Sequence, residues 1–443
     1  MKLDLLDDNT EHTEVGNYFV ANYPPFSVWV AEHVGSYLER LDAPPTPSAD
    51  RPPLGLYLHI PFCRKRCKFC YFRVYTDKNS TEVDAYLHAL AGEAALYADR
   101  AALCGRSFDF VYFGGGTPSF LSSEQLQRLV ERISEHWQWE KAREVTFECE
   151  PGTLKKGKLQ TIKAMGTTRL SLGVEHFDDE VLEVGGRAHR SAEIVQAFEW
   201  AREVGFSQIN VDLIAGMVGD TDAKWRDTIE KTIRLDADSV TIYQMEVPHN
   251  TTIARESGCS GGATSVPNWT TKRRWVEYAF LEFERAGYLV SSGYTLYKPS
   301  NHLGFVYRDA LWHGADLIGT GVASFGHLGG IHYQNLDRWE DYVGALQRRE
   351  LPIGRALPVT DHQRLIREMV LQMKLGRLDA GYFRQKFSTN VVEAFGDGFR
   401  SLCDQELARI DGDAVTLTRA GLLRVDELLP RFFEPRFRSI RYT

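Results

Sequence analysis

Six short apolar or alternating runs recur between residues 54 and 244: LGLYLHI (54–60), FDFVYF (108–113), EVTFEC (144–149), TRLSLGV (168–174), QINVDLI (208–214) and SVTIYQ (239–244). Runs of this length, rich in β-branched and aromatic side chains, predict strands. Between them apolar residues fall at three- and four-residue intervals, as in Val83, Tyr86, Leu87, Leu90, Ala94 and Tyr97, and predict helices. Leu126, Leu129, Val130 and Ile133 repeat the pattern behind Ser122, with Gln125 three residues on, the signature of a capping box. Alternating strands and helices imply parallel pairing through right-handed crossovers. The expected α/β fold is therefore a partial (β/α)6 barrel over residues 51–250, with its site at the C-terminal ends of the strands by analogy with full barrels.

Outside this body the periodicity changes. Residues 1–50 end in the proline-rich stretch LDAPPTPSADRPP and read as an N-terminal arm with a tether. Residues 251–355 read as a barrel extension, beginning with a Gly/Ser-rich loop, ESGCSGGATS (256–265), and a helix from Trp269 to Ala286. Residues 356–443 read as a mostly helical domain, with Ile366, Met369, Val370 and Met373 on one helix face. An Asp411-Gly412 turn and the alternating VTLT (415–418) give it a winged-helix-like pattern, taken here as a lid or packing domain.

Composition narrows the function classes. With 52 Lys+Arg against 60 Asp+Glu, the 443-residue chain carries a formal charge of −8, which argues against a general nucleic-acid binder. No stretch approaches the roughly 20 apolar residues that cross a bilayer, and the first 30 residues lack a secretory pattern, so a cytoplasmic protein is expected, with no membrane or nucleic-acid partner. Seven cysteines, an odd number, stand at 63, 67, 70, 104, 149, 259 and 403. Three within eight residues point to metal or cluster ligation more than to disulfides.

That triplet is Cys63-x3-Cys67-x2-Cys70, on the loop after the first predicted strand, with Arg64, Lys65, Arg66 and Lys68 between and beside its members. Zinc sites usually take four ligands in paired C-x2-C units, and no second pair follows. A 4Fe–4S cluster has four irons, and three cysteines leave one open to a small molecule.

The triplet occurs in order with YFGGGTPS, FECEPGT, SLGVEHFDDEV, NVDLIAGM and TIYQMEVP. Together these resemble the radical S-adenosylmethionine (SAM) superfamily over about residues 54–330. The closest likeness is to the branch holding the oxygen-independent coproporphyrinogen III oxidases, haem-trafficking chaperones and class C radical SAM methylases and cyclopropanases. The resemblance implies a 4Fe–4S cluster on Cys63, Cys67 and Cys70 whose open iron binds SAM, which is cleaved reductively to a 5′-deoxyadenosyl radical. It places Tyr57, Gly114 to Pro118 (Gly115 among them), Glu148 and Phe325 beside the first SAM. Phe69, Gly116, Thr117, Glu175, Arg187, Asp212 and Met245 fall on positions that hold a second SAM in this branch. It also implies a small-molecule substrate and an electron donor such as flavodoxin or ferredoxin. Two departures stand out: Glu175 replaces the common Gln, and Phe72 stands where coproporphyrinogen oxidases typically carry a further cysteine.

Coproporphyrinogen carries four propionates, yet residues 1–50 offer only Lys2 and Arg40 as basic residues, alongside Tyr18, Phe19, Tyr23, Phe26 and Trp29. An aromatic arm favours an apolar acceptor. The leading expectation is thus methyl or methylene transfer from the second SAM, by methylation or cyclopropanation of an unsaturated acceptor. The alternatives are oxidative decarboxylation of a coproporphyrinogen-like tetrapyrrole, helped by the basic C-terminus RFFEPRFRSIRYT, and a haem-carrying chaperone with His59, His176 and His189 as nominal axial ligands. Tyr243, Glu246, Tyr294 and Tyr297 are expected to face the cavity as proton-relay or pocket residues.

Overall fold

A computed structural model of the chain describes residues 19–44, 47, 51–248, 251–259, 266–299, 304–438 and 440. The six expected strands form as β1 (Leu54–Ile60), β2 (Phe110–Gly115), β3 (Glu144–Cys149), β4 (Arg169–Glu175), β5 (Gln208–Ala215) and β6 (Ser239–Gln244). They pair in parallel in sequence order. Strands covered on both faces read as near-continuous apolar runs, and β1 and β5 each bury all but one residue. The intervening helices close the outer layer. Ser80–Ala98 is capped by Asn79 with Glu82, and Ser123–Ser134 by Ser122 with Gln125, the capping box expected from the sequence. The second helix sinks Leu126, Leu129 and Ile133 into the core, each contributing about 1.5–3 kcal/mol by burial.

The sheet extends beyond the barrel strands on both sides. Six further strands join: β7 (Leu289–Val290), β8 (Thr295–Tyr297), β9 (Asp316–Thr320), β10 (Phe325–Leu328), β11 (Ile331–Asn335) and β12 (Ile353–Pro358). The order is β12-β11-β10-β9-β1-β2-β3-β4-β5-β6-β8-β7, and the two outer strands do not meet, so the sheet is open. Strand β9 lies parallel to β1 on the side opposite β2, while β10 to β12 run antiparallel.

The C-terminal part combines the helices Asp361–Met373, Ala380–Phe387 and Gly396–Asp404 with a small antiparallel sheet. That sheet has the order β13-β15-β14, from β13 (Arg377–Asp379), β14 (Ala408–Asp411) and β15 (Ala414–Leu417). Its core gathers Met369, Val370, Phe383, Phe399, Leu402 and Phe432. The helix Asp361–Met373 was expected to bury one face; it buries Gln363, Arg367, Glu368 and Gln372 as well. The reason is its central position, between the helix Val306–Trp312 on one side and the C-terminal turns on the other. The loop expected at 256–265 begins later, because the helix Thr252–Cys259 runs through its first four residues, and 260–265 lie outside the described residues.

The arm is fastened rather than loose over the described span. Val30 exchanges backbone hydrogen bonds with Ala356 of β12 (3.1 and 2.9 Å), protecting an edge strand. Tyr23 is buried against Phe433 and Phe437, and its hydroxyl donates to Glu434. Trp29 stacks on His332 at 5.1 Å. The aromatic residues taken as a substrate-facing lid are therefore mostly packing residues. Phe19 differs, since it lines a cavity described below. Lys2, Tyr18 and residues 45, 46 and 48–50 of the tether lie outside the described residues. No helix among the described residues is long and apolar enough to cross a membrane.

Candidate active site at the carboxyl ends of the strands

The cysteine loop leaves β1 and is pinned from several sides. Cys63 N donates to Tyr75 O (3.1 Å), Tyr75 N to Pro61 O (2.8 Å), Lys68 N to Gly185 O (3.0 Å) and Cys70 N to Cys67 O (3.2 Å). Two side chains reach the sulfurs: Thr117 Oγ1 donates to Cys63 Sγ at 3.3 Å and Arg187 Nη1 to Cys67 Sγ at 3.2 Å. Burial pushes the Cys63 thiol up to about 12 and the Cys70 thiol up to about 11. Thiolates at these positions need a cation at the sulfur, which ligated iron supplies. Among the described residues no three His, Cys, Asp or Glu side chains converge as for a single metal ion. The residues present fit a cluster: three free thiols on one constrained loop, with donors already aimed at two of them.

The glycine loop after β2 is stapled to the cysteine loop. Gly116 N donates to Ile60 O (2.9 Å), Thr117 N to Phe62 O (2.8 Å) and Gly115 N to Glu148 Oε2 (3.2 Å). Close approach explains the glycines. A Cβ on Gly116 would stand 2.9 Å from the Pro61 carbonyl carbon, and one on Gly115, whose φ is +114°, would stand 2.6 Å from the His59 ring. With these amides engaged, what the loop offers a ligand is space and carbonyl oxygens.

Glu148, at the end of β3, also accepts from Tyr112 Oη at 2.7 Å, and Tyr57 stacks on Tyr112 with ring centres 5.8 Å apart. Burial raises the Glu148 carboxyl to about 7, with Asp212 and Glu175 adding to the effect. Glu175 closes β4 at a register shift, with φ +65°, and burial raises it to about 7 as well. Arg187 faces it: Nη2 donates to Gly173 O at 2.8 Å and stands 3.6 Å from Glu175 Oε1, while Nε is buried without a hydrogen-bond partner. Asp212 on β5 accepts from Ser171 Oγ (2.7 Å) and Asn210 Nδ2 (2.8 Å), and burial raises its carboxyl. Phe69 and Met245 meet in one apolar cluster with Val181, Ile214 and Met217. Phe325 on β10 packs instead against Phe26 of the arm, with tilted rings 4.3 Å apart.

Beyond β6 lies a small cavity of about 40 Å³, lined by Phe19, Tyr243, Glu246, Trp269, Tyr294 and Asp426 among others. Glu246 accepts from Phe19 N, and burial raises its carboxyl to about 7. Tyr294 Oη donates to Asp426. Three of the four residues expected here thus converge. Tyr297 does not: it pairs with Ser239, the first residue of β6, at the opposite end of the sheet, because β8 runs antiparallel to β6. The nominal haem ligands are not presented to an axial position either. His59 is buried beneath Gly115 and held near pKa 4 by burial; His176 Nε2 lies 3.1 Å from Asp220 Oδ1, and His189 Nε2 lies 3.2 Å from Val174 O.

Sequence reasoning missed Lys374 and Asp426. Lys374 is fully buried; its Nζ donates to Val20 O (2.7 Å) and pairs with Asp426 Oδ1 (3.1 Å), while Asp426 also accepts from Val20 N (2.9 Å). A lysine at a helix end reads as a solvated cation, so the sequence carries no signal for this cluster.

The fold and the site define a protein with a three-cysteine loop suited to an iron–sulfur cluster beside a group of buried acids. The profile of the Radical SAM superfamily matches residues 57–232. The haem chaperone HemW of Mycobacterium tuberculosis (strain H37Rv) is 30% identical over 308 residues, 68% of this chain and 76% of that protein. The oxygen-independent coproporphyrinogen III oxidase of Synechocystis sp. PCC 6803 is 27% identical over 387 residues, 84% of this chain and 80% of that one. Among solved structures, coproporphyrinogen III oxidase (HemN) from Escherichia coli superposes with a TM-score of 0.81 at 24% identity, covering 94% of this chain and 96% of that one. The chain belongs to the radical SAM superfamily, in its oxygen-independent coproporphyrinogen III oxidase-like branch. Membership brings a 4Fe–4S cluster and SAM as cofactors. The leading expectation of methyl or methylene transfer is overturned. The relatives are named haem chaperones and coproporphyrinogen oxidases, and the aromatic arm behind that expectation packs against Glu434, Phe433 and His332.

Proposed function

We propose that this protein oxidatively decarboxylates a propionate side chain of a coproporphyrinogen-like tetrapyrrole. The observation that carries the reading is a two-tier site. A group of buried acids (Glu148, Glu175, Asp212), with Arg187 facing Glu175, lies beside Tyr243, which also lines an aromatic-walled cavity bordered by Arg273 and Arg424. When bound, the cluster and SAM supply the hydrogen-abstracting radical. Glu148 receives the ammonium of the first SAM, and Glu175, Arg187 and Asp212, with Phe69 and Met245 behind them, hold a second. A second SAM would bring a sulfonium cation toward these carboxyls. Arg273 and Arg424 both pair with Glu427, and a substrate propionate would exchange with that carboxylate. The aromatic rings of Tyr243, Trp269 and Tyr294 would face that side chain. The protein would work in the cytoplasm with flavodoxin or ferredoxin as reductant.

The test is anaerobic turnover of the reduced protein with SAM and coproporphyrinogen III. Carbon dioxide release alongside 5′-deoxyadenosine is expected; nucleoside without carbon dioxide would reject the reading. A haem-trafficking chaperone is the second reading, favoured by Phe72 in place of the further cysteine and by the name of the 30%-identical relative. Stable haem binding without turnover would support it.

The site carries two further predictions. Because burial raises Glu148 to about 7, an ammonium ligand must displace a proton below that pH. SAM affinity should fall as pH drops below 7, by up to about tenfold per unit, and level off above it. Glu148→Gln should weaken binding and flatten the profile, as equilibrium titration between pH 5.5 and 8.5 would show. Tyr294→Phe should lower turnover by about tenfold or more, while Tyr297→Phe leaves it within about twofold, as expected if only Tyr294 assists proton transfer.

A further inference from the structure

The turn after the helix Asp179–Val184 is pressed onto the cysteine loop. Lys68 N donates to Gly185 O (3.0 Å), and a Cβ on Gly186, whose φ is +78°, would stand 3.2 Å from Lys68 N. Arg187 N donates back to Leu182 O at 2.9 Å, which closes the turn. The Arg187 guanidinium then spans two walls, with Nη1 donating to Cys67 Sγ (3.2 Å) and Nη2 to Gly173 O on β4 (2.8 Å). Its side chain is 12% exposed, against 38% for Arg64 on the cysteine loop, so water screens it far less than that surface cation. The acid facing it is Glu175, whose Oε1 lies 3.6 Å from Nη2 and whose side chain is 13% exposed. Glu150, also nearby, is taken by Arg64 at 3.0 Å.

Hydrogen bonds to the ligand sulfurs and the local charge set the potential of an iron–sulfur centre. One-electron reduction adds a negative charge, which a buried guanidinium at a ligand sulfur stabilises and a buried carboxylate opposes. We infer that Arg187 raises the reduction potential of the centre carried by Cys63, Cys67 and Cys70, and that Glu175 holds it down by offsetting that guanidinium. Thr117 Oγ1, a neutral donor 3.3 Å from Cys63 Sγ, contributes less than the charged donor at Cys67. Glu175 stands in place of the amide common in this branch, and its carboxylate makes the centre harder to reduce than that amide would. The inference needs the family's cluster alone, and neither the tetrapyrrole nor the second SAM.

The test is a potentiometric titration of the reconstituted full chain with dithionite, followed by electron paramagnetic resonance, at pH 8.5 and without SAM or substrate. At that pH the Glu175 carboxyl, which burial raises to about 7, is ionised. Each reduction moves one electron from dithionite to the centre and transfers no atom. Arg187→Met should lower the equilibrium constant for reduction about tenfold, or ~59 mV for a one-electron couple, with Arg187→Lys in between. Glu175→Gln should raise that constant about threefold. An unmoved potential in Arg187→Met, or one in Glu175→Gln that is unchanged or lower, would overturn the inference. Should Arg187→Met fail to hold iron, the direction of the Glu175→Gln shift decides. A role of Arg187 confined to gripping the second SAM would leave every one of these potentials in place, and the outcome is independent of the decarboxylation assay.

Discussion

Cys67→Ala should leave the protein folded and without iron. After anaerobic reconstitution the variant is expected to carry no acid-labile sulfide and to form no 5′-deoxyadenosine, while its unfolding midpoint stays within the range of a surface substitution. The separation follows from the loop's construction. Its hold on the fold comes from backbone bonds of Cys63, Lys68, Cys70 and Tyr75 and from the stapled glycine loop, none of which needs the Cys67 sulfur. What the sulfur does accept is the Arg187 guanidinium at 3.2 Å, so the variant also releases that side chain toward Glu175 and Gly173. With two thiols left, the cluster has one anchoring cysteine too few. Cys104→Ala, at an exposed thiol remote from the loop, serves as the control and should load normally. Iron retained by Cys67→Ala would remove the basis for assigning the triplet to the cluster.

The barrel was legible because its code is local. Each parallel strand is an apolar run, each helix a 3.6-residue repeat with its cap in the adjoining residues, and the cofactor loops follow strand ends in order. The four strands β9 to β12 were not read, because DLIGT, FGHL, IHYQN and IGRALP are short and rich in glycine and polar residues. One signal was available: Gly329-Gly330, both at positive φ, joins β10 to β11 as a two-residue hairpin. Tyr297 was misplaced because distance along the chain says nothing about the direction of a strand that returns antiparallel. The arm misled on function for a related reason, since an aromatic residue that packs and one that faces a substrate have the same sequence signature. Only burial separates Tyr23 from Phe19.

The cluster around Lys374 was illegible for a stronger reason: it is assembled from residues of three separate regions, and it carries the second large prediction. Lys374→Met should destabilise the protein by about 3 kcal/mol, because removing one partner of a buried pair leaves the other charge uncompensated. Val20 belongs to the arm, Glu246 and Tyr294 to the barrel side, and Lys374 and Asp426 to the C-terminal part; all five bond within this cluster or stand beside it. Burial lowers the Lys374 pKa, and Asp426 and Glu246 oppose that shift. Without it, Asp426 keeps its bonds to Val20 and Tyr294 but loses the Lys374 ammonium, and Val20 loses the donor to its carbonyl. The urea midpoint should drop, and the arm should become cleavable by protease near Val20 in the otherwise folded variant. Lys374→Met combined with Asp426→Leu removes both charges and should recover part of the loss, which a double-mutant cycle would measure. A cost below about 1 kcal/mol for Lys374→Met would mean that water reaches the cluster and that the arm is held by its β12 and Phe433 contacts instead.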